Sequence, residues 1–258
     1  KLRSPMKKLI LTALYILSTG TASARLNLSA ELISRQTLAS SAAAAAPQHP
    51  DADILLVEDQ TRIRYETDGT YCYITDMAFK ILTEKGRQEK SNISIGYSAD
   101  YGTARFVRAE VIKPDGRIVP VDLAVQSREA VNQGQMEANI YDPSQKDIKL
   151  TVPGLGTGDI LRYTVAGEQT KTVVPGTWSD LFTLEETFPI LHAVYEVDAP
   201  AALPLARAEL KAEIPGTVTR RTEKNGDRIR YIWEVRDVPR MFEEPKMPER
   251  YTVVQRLL

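Results

Sequence analysis

From residue 54 onward the chain is written in short apolar runs with a period of two, broken by turn residues. Ile54 to Val57 opens the pattern, and Thr61 to Thr67 sets Ile63 and Tyr65 on one face. Thr67-Asp68-Gly69-Thr70 reads as a hairpin turn, because Gly accepts the positive φ that such turns need. Tyr71 to Leu82 then alternates Tyr71, Tyr73, Met77, Phe79 and Ile81 against Cys72, Ile74, Asp76, Ala78 and Lys80. Glu84-Lys85-Gly86-Arg87 is read as the next turn. Further strands are predicted at Ile93–Tyr97, Thr103–Lys113, Arg117–Val121, Ile148–Val152, Asp159–Gly167, Trp178–Phe188, His192–Val197, Leu210–Ile214, Val218–Glu223 and Arg228–Arg236. Pro114-Asp115-Gly116 and Asn225-Gly226 supply turn chemistry between them. Helical periodicity is nearly absent after residue 50. Many short strands with Gly/Pro turns predict an all-β fold, a β-sandwich of the immunoglobulin-like or two-sheet kind.

The two ends depart from this texture. Met6 to Ala24 has the three parts of a secretory signal: Lys7 and Lys8, an apolar stretch from Leu9 to Leu17, and Ala22-Ser23-Ala24 as the cleavage pattern. The apolar stretch is too short to cross a hydrocarbon core of about 30 Å as a helix. The expectation is cleavage after Ala24 and a periplasmic or secreted protein without a membrane anchor, with Met6 as initiator and residues 1–5 upstream of it. Residues 25–52, rich in Ala and Ser, are read as a disordered leader, transiently helical around Ala30 to Ala39. Residues 53–238 form the predicted sandwich. Residues 239–258 read as a Pro-rich linker and the start of a further domain, so the natural chain is expected to continue beyond Leu258.

Composition narrows the chemistry. The formal net charge is −1 with 26% charged residues, and Arg and Lys are scattered among acids, which gives nucleic acid no basic stripe to bind. One cysteine, Cys72, excludes an intramolecular disulfide, and two histidines, His49 and His192, leave little for metal or acid–base sites. Cys72 lies mid-strand between tyrosines, with no helix N-terminus to lower its pKa, and is read as a packing residue. His192 has no ligand-spaced partner, and His49 falls in the leader. Glu185-Glu186 and Glu243-Glu244 are adjacent pairs whose side chains diverge in a strand, so they are read as surface charge. Gly154-Leu155-Gly156-Thr157-Gly158 lacks the Lys-Ser/Thr ending and the following helix of a phosphate loop, and reads as a turn. Asn27-Leu28-Ser29 and Asn92-Ile93-Ser94 match a glycosylation pattern too short to carry weight. No catalytic, cofactor or metal residue is assigned. Tyr97, Tyr101, Tyr141 and Trp178 are candidate stacking surfaces for a glycan or peptide.

Several segments, taken in order, carry a resemblance. Ile81-Leu82-Thr83-Glu84-Lys85-Gly86-Arg87, Ala109-Glu110-Val111-Ile112-Lys113-Pro114-Asp115-Gly116-Arg117 and Val152-Pro153-Gly154-Leu155-Gly156-Thr157-Gly158-Asp159-Ile160 are joined by Phe188-Pro189-Ile190 and Glu244-Pro245-Lys246-Met247-Pro248. Over roughly Asp53 to Pro248 the chain resembles the domain of unknown function 3857 family. That resemblance implies an extracytoplasmic β-sandwich that usually precedes a transglutaminase-like domain with a Cys-His-Asp centre. The matching residues make turns and strand starts, Gly86, Gly116, Gly154 and Gly158 among them, so they carry over as structural. The expected role is a non-catalytic module that positions or recognises substrate for a downstream transglutaminase- or protease-like domain in cis. A stand-alone glycan- or peptide-binding module of the cell envelope is the alternative.

Overall fold

A computed structural model describes residues 33–135 and 141–258. The export signal and Asn27 lie outside the described residues. Helix α1 (Arg35–Ala45) is followed by strands β1 (Ile54–Tyr65) and β2 (Tyr71–Ile81), then helix α2 (Glu84–Lys90). Next come β3 (Asn92–Ser98), β4 (Gly102–Ile112), β5 (Ile118–Pro120), helix α3 (Leu123–Gln126), β6 (Ser127–Val131) and β7 (Gln145–Thr151). The chain continues through β8 (Ile160–Gln169), β9 (Phe182–Thr183), β10 (Ile190–Pro200), β11 (Leu210–Lys211), β12 (Val218–Asn225) and β13 (Arg228–Val238). Helix α4 (Arg250–Val253) and β14 (Arg256–Leu257) close it.

The dominant element is an eight-stranded sheet in the order β12-β13-β10-β1-β2-β8-β4-β5. Its neighbours pair antiparallel except β1 and β10, which run parallel with Leu56 opposite Ile190 and Ile63 opposite Val197. Two three-stranded sheets, β3-β7-β6 and β11-β14-β9, form the second layer. One continuous core joins them: Phe79, Phe106, Leu161 and Tyr163 from the large sheet pack with Ile93, Ile148 and Leu150 of β3 and β7. A second cluster sets Leu257 of β14 against Tyr195, Val197 and Trp233. The fold is thus an all-β, two-layer arrangement with unequal layers, and its hairpins turn at the predicted places.

The period-two pattern sorts the large sheet into two faces. Tyr73, Met77 and Phe79 of β2 point into the core, here called the front. Cys72, Asp76 and Ala78 point to the back. A bulge between Leu56 and Glu58 shifts the register of β1. It lets Ile54 and Leu56 join the front core while Val57 turns to the back, and returns Asp59, Thr61 and Ile63 to the front.

Several segments differ from the sequence expectation: Ser127–Val131 is an unpredicted strand, the predicted strand Leu210–Ile214 shortens to Leu210–Lys211, and four further differences shape the site and the ends. Part of the 25–52 leader is an ordered helix. In α1, Leu38 and Ala42 are 1% and 0% exposed and pack on Val57, Ala78, Ile112 and Ile160 of the back face. A stripe of two residues at i and i+4 is too narrow to register as amphipathic in an Ala/Ser run, so tertiary contact creates this element. The helix is capped by Ser34, whose Oγ accepts from Thr37 N at 3.1 Å. At the other end, residues 250–258, read as lying past a linker, pack into this domain. Gln255 is fully buried, and its Oε1 accepts from Ile214 N at 2.6 Å. Segment 84–90, read as a turn, is α2, capped by Thr83. Its Gly86 lies against β1, where a Cβ would stand 2.2 Å from Asp53 O. Finally, of the predicted strand Trp178–Phe188 only Phe182 and Thr183 form ladder bonds. Residues 170–181 instead run as an irregular strap across the front face.

Candidate functional site

The strap separates two cavities on the front of the large sheet. The central cavity, ≈ 360 Å³, has a floor of Ile63, Tyr73, Met77 and Val165 from β1, β2 and β8. Ile95 of β3 forms one wall, and Trp178, Asp180 and Phe182 form the other. The lateral cavity, ≈ 420 Å³, lies over Tyr195, Val197 and Trp233, between the strap and the 203–208 loop. Trp178, Ser179, Asp180 and Phe182 line both.

Local sequence explains the shape. Tyr73 stands opposite Gly167 in the β2–β8 ladder. A Cβ on Gly167 would meet Cε1 of the Tyr73 ring at 2.4 Å, so the missing side chain lets the ring lie against β8 as part of the cavity floor. The strap is tied at the β1–β2 hairpin, where Gly176 N donates to Asp68 O at 3.0 Å. Ring contacts hold its middle: Trp178 stacks on Tyr65 at 4.8 Å and 5°, and Phe182 on Tyr195 at 4.2 Å and 22°. Tyr195 Oη donates to Asp180 Oδ2 at 2.5 Å, and Tyr65 Oη donates to Leu203 O at 2.6 Å.

Burial governs the titratable groups of the floor. Desolvation pushes the Tyr65 and Tyr73 phenols up to about 12. Tyr71 and Tyr195 also rise, chiefly through burial and further through the negative charge of Asp180. Asp59, on the front face next to Thr61, is pushed up to about 7, since burial outweighs the hydrogen bond it accepts from Thr61 Oγ1 at 2.9 Å. The phenols of this floor are therefore neutral at pH 7, and Asp59 is largely protonated below that pH.

Of the residues singled out by sequence, Trp178 alone lies in these cavities. Cys72 is buried on the back face, and desolvation pushes its thiol up to about 11, so at neutral pH it is a thiol and not a thiolate. His192 is also on the back. Its Nδ1 is 2.8 Å from Glu58 Oε1 and its Nε2 3.2 Å from Glu234 Oε1. Bonding to Glu58 raises its pKa, against the opposing effect of burial. His49 follows α1, where its carbonyl accepts from Ala52 N at 3.1 Å. Tyr97 Oη donates to Glu129, Tyr101 O accepts from Thr170 N at 2.8 Å, and Tyr141 is 66% exposed.

Glu185 and Glu186 lie beyond β9 and do not splay as strand residues would. Glu185 Oε2 accepts from Gln255 N at 2.8 Å and Glu186 binds Arg250, so both clamp the terminal segment instead of being loose surface charge. Glu243 and Glu244 are exposed. The 154–158 stretch is a turn, closed by Gly156 N donating to Asp159 Oδ2 at 2.7 Å. Among the described residues no three His, Cys, Asp or Glu side chains gather as a metal site would require. No described helix is long and apolar enough to cross a membrane.

Apart from Trp178, the cavities were foreshadowed by the aromatic side of the alternating strands: Tyr65, Tyr71, Tyr73, Tyr195 and Trp233. That signal is shared with ordinary core, so it does not announce a cavity.

Residues 67–242 match the family described as "Domain of Unknown Function with solved-structure structure (DUF3857)". Among solved structures, the chain is similar to a "putative protease" from Parabacteroides distasonis ATCC 8503, with 19% identity and a TM-score of 0.70 over 80% of this chain and 39% of that one. It thus spans well under half the length of that protein, and at this identity the likeness shows the fold alone. An M1 zinc metallopeptidase from Deinococcus radiodurans aligns over 80% of this chain and 42% of its own, at 12% identity and a TM-score of 0.36, too distant to carry an argument. No curated protein matches.

Proposed function

This chain belongs to the DUF3857 family, and from that premise we propose that it is a non-catalytic module that seats a polypeptide for a protease- or transglutaminase-like domain of the same protein. The observation that carries this reading is the pair of aromatic-lined cavities flanking the strap on the sheet's front face. Cavities of a few hundred Å³, mostly apolar with a few placed polar groups, are the usual form of a ligand site. The reactive groups of the chain do not converge there: Cys72 and His192 face the opposite side of the sheet. The likeness to a much longer protein described as a protease supports a role beside another domain. The signal pattern at residues 6–24 supports placing it in the periplasm or outside the cell.

A direct test uses the chain's own fluorescence. Trp178 and Trp233 are its two tryptophans, and both line the lateral cavity. Titration with unfolded polypeptide is expected to give a saturable change in emission, and Trp178→Ala is expected to weaken binding at least tenfold with the fold intact by circular dichroism. A response to cell-wall glycans alone would favour the stand-alone glycan module. No response to either would remove both readings.

A further inference from the structure

We propose that the central cavity is a receptor for an alkylammonium group, the side chain of a lysine presented on a peptide; this rests on the polypeptide-recognition reading above. Asp180 is the one charged residue among those lining the cavity. Its Oδ2 accepts from Tyr195 Oη and its Oδ1 from Leu181 N, at 2.5 and 2.8 Å. Neither bond neutralises it, and no Lys, Arg or His pairs with it among the described residues. A carboxylate accepts about four hydrogen bonds, so lone pairs stay open to a donor from the cavity.

The walls suit a cation. Tyr71, Tyr73, Trp178 and Phe182 present aromatic rings to the space. Tyr65 covers one face of the Trp178 indole, and the other stacks on no ring among the described residues. An aromatic face within about 6 Å attracts an ammonium, most strongly when it is indole and the cation is partly desolvated. The field of Asp180 already reaches two phenols of the site, Tyr71 and Tyr195, disfavouring their ionisation as it would disfavour any bound anion.

Geometry further separates ammonium from guanidinium. Arginine gains most from a bidentate carboxylate with both oxygens free. Here each Asp180 oxygen already holds a donor, so a fork would have to share both oxygens with Tyr195 and Leu181, whereas an ammonium needs only one of the two acceptor sites left. The methylenes of a lysine stem would lie on Met77, Ile63 and Val165, in the manner of long basic side chains elsewhere.

The experiment compares short peptides identical except at one central residue, bearing lysine, Nε-acetyl-lysine, norleucine or arginine, by Trp178 emission in the Trp233→Phe chain and by calorimetry on the unmodified chain. Lysine is expected to bind at least tenfold tighter than norleucine or acetyl-lysine, and tighter than arginine. Asp180→Asn, which keeps an oxygen for Tyr195, is expected to erase that preference while leaving norleucine binding unchanged. Equal binding of lysine and norleucine, or a preference that survives Asp180→Asn, would overturn the assignment and leave the recognition reading standing. Failure of every peptide to bind would remove both. The peptide comparison on the unmodified chain decides the matter even if a variant misfolds.

Discussion

The two faces of the eight-stranded sheet solve opposite problems. The front is apolar and aromatic, faces two small sheets and a strap, and is closed except for two cavities. The back is a lattice of charge. Arg62 lies 3.8 Å from Glu196, Glu196 lies 3.2 Å from Arg230, and Asp198 lies 2.8 Å from Arg228, each pair crossing between neighbouring strands. Toward its other side, beneath α1, the charges become buried. Arg162 is 2% exposed and donates to Asp76 from Nε at 3.0 Å and Nη2 at 2.6 Å, while Arg108 Nη2 and Thr164 Oγ1 donate to the other Asp76 oxygen. Arg162 Nη1 donates to Ile33 O, and Arg35 binds Glu110 bidentately at 2.9 and 2.7 Å, so this network also fixes the helix. A sheet surface can carry charge when every charge has a cross-strand partner, and it can form cavities where rings leave gaps in their packing. The face whose charges are mostly paired across strands is a frame. The face where Asp180 borders a cavity without a cationic partner is where a ligand has something to gain.

The comparison can be broken most forcefully at Asp76. Asp76→Ala leaves the Arg162 guanidinium buried without its counter-charge, and such a loss costs about 3–5 kcal/mol. Urea unfolding should show it; a change below about 1 kcal/mol would mean that water reaches the back face beneath α1 and that the two faces are not so different.

Asp59 tests the front. Below the unfolded carboxyl value of about 3.9 both folded and unfolded chains hold the proton. Between that value and about 7 the folded chain keeps a proton that the unfolded chain releases. Stability therefore falls as pH rises through this window, by roughly 4 kcal/mol at about 1.4 kcal/mol per pH unit. Asp59→Asn removes that fall. Both chains retain a decline from His192, whose raised pKa makes its contribution full below about 6.5 and lost as pH rises through the folded value. The readout is thus the difference between variant and parent across pH 4–8, which should grow in favour of the variant. A difference that does not change with pH would place Asp59 in contact with solvent.

Gly167→Ala is the mildest of the three. The new methyl would meet the Tyr73 ring, and overpacking of this kind costs about 1–3 kcal/mol. Because the ring must tilt into the central cavity, peptide binding should fall together with thermal stability. Loss of stability with binding unchanged would show that Tyr73 is floor in name only.

Much of the front face was legible from the chain because alternation is local. Tyr71, Tyr73, Met77, Phe79 and Ile81 announce one side of β2 without any knowledge of its neighbours. The bulge after Leu56 was not legible, since nothing in the run Ile54-Leu55-Leu56-Val57 says where the pleat will slip. Neither was the site. Asp180 looks like any loop acid until Tyr195 is brought beneath it, and Trp178 sits in a segment whose apolar residues suggested a strand. The same locality misled at both ends, where Leu38 and Gln255 are buried only because distant strands supply the surfaces that cover them.

The sequence alone determined most of the strands and their hairpin turns, the family resemblance and the scarcity of reactive side chains, because these depend on residue type and on spacing over a few positions. Tertiary structure alone decided which face of the sheet would be closed, that an Ala-rich segment would become a docked helix, and that residues 170–181 would cross the front as a strap. Those outcomes rest on contacts between residues far apart in the chain, whose free energy exists only once the strands between them are paired.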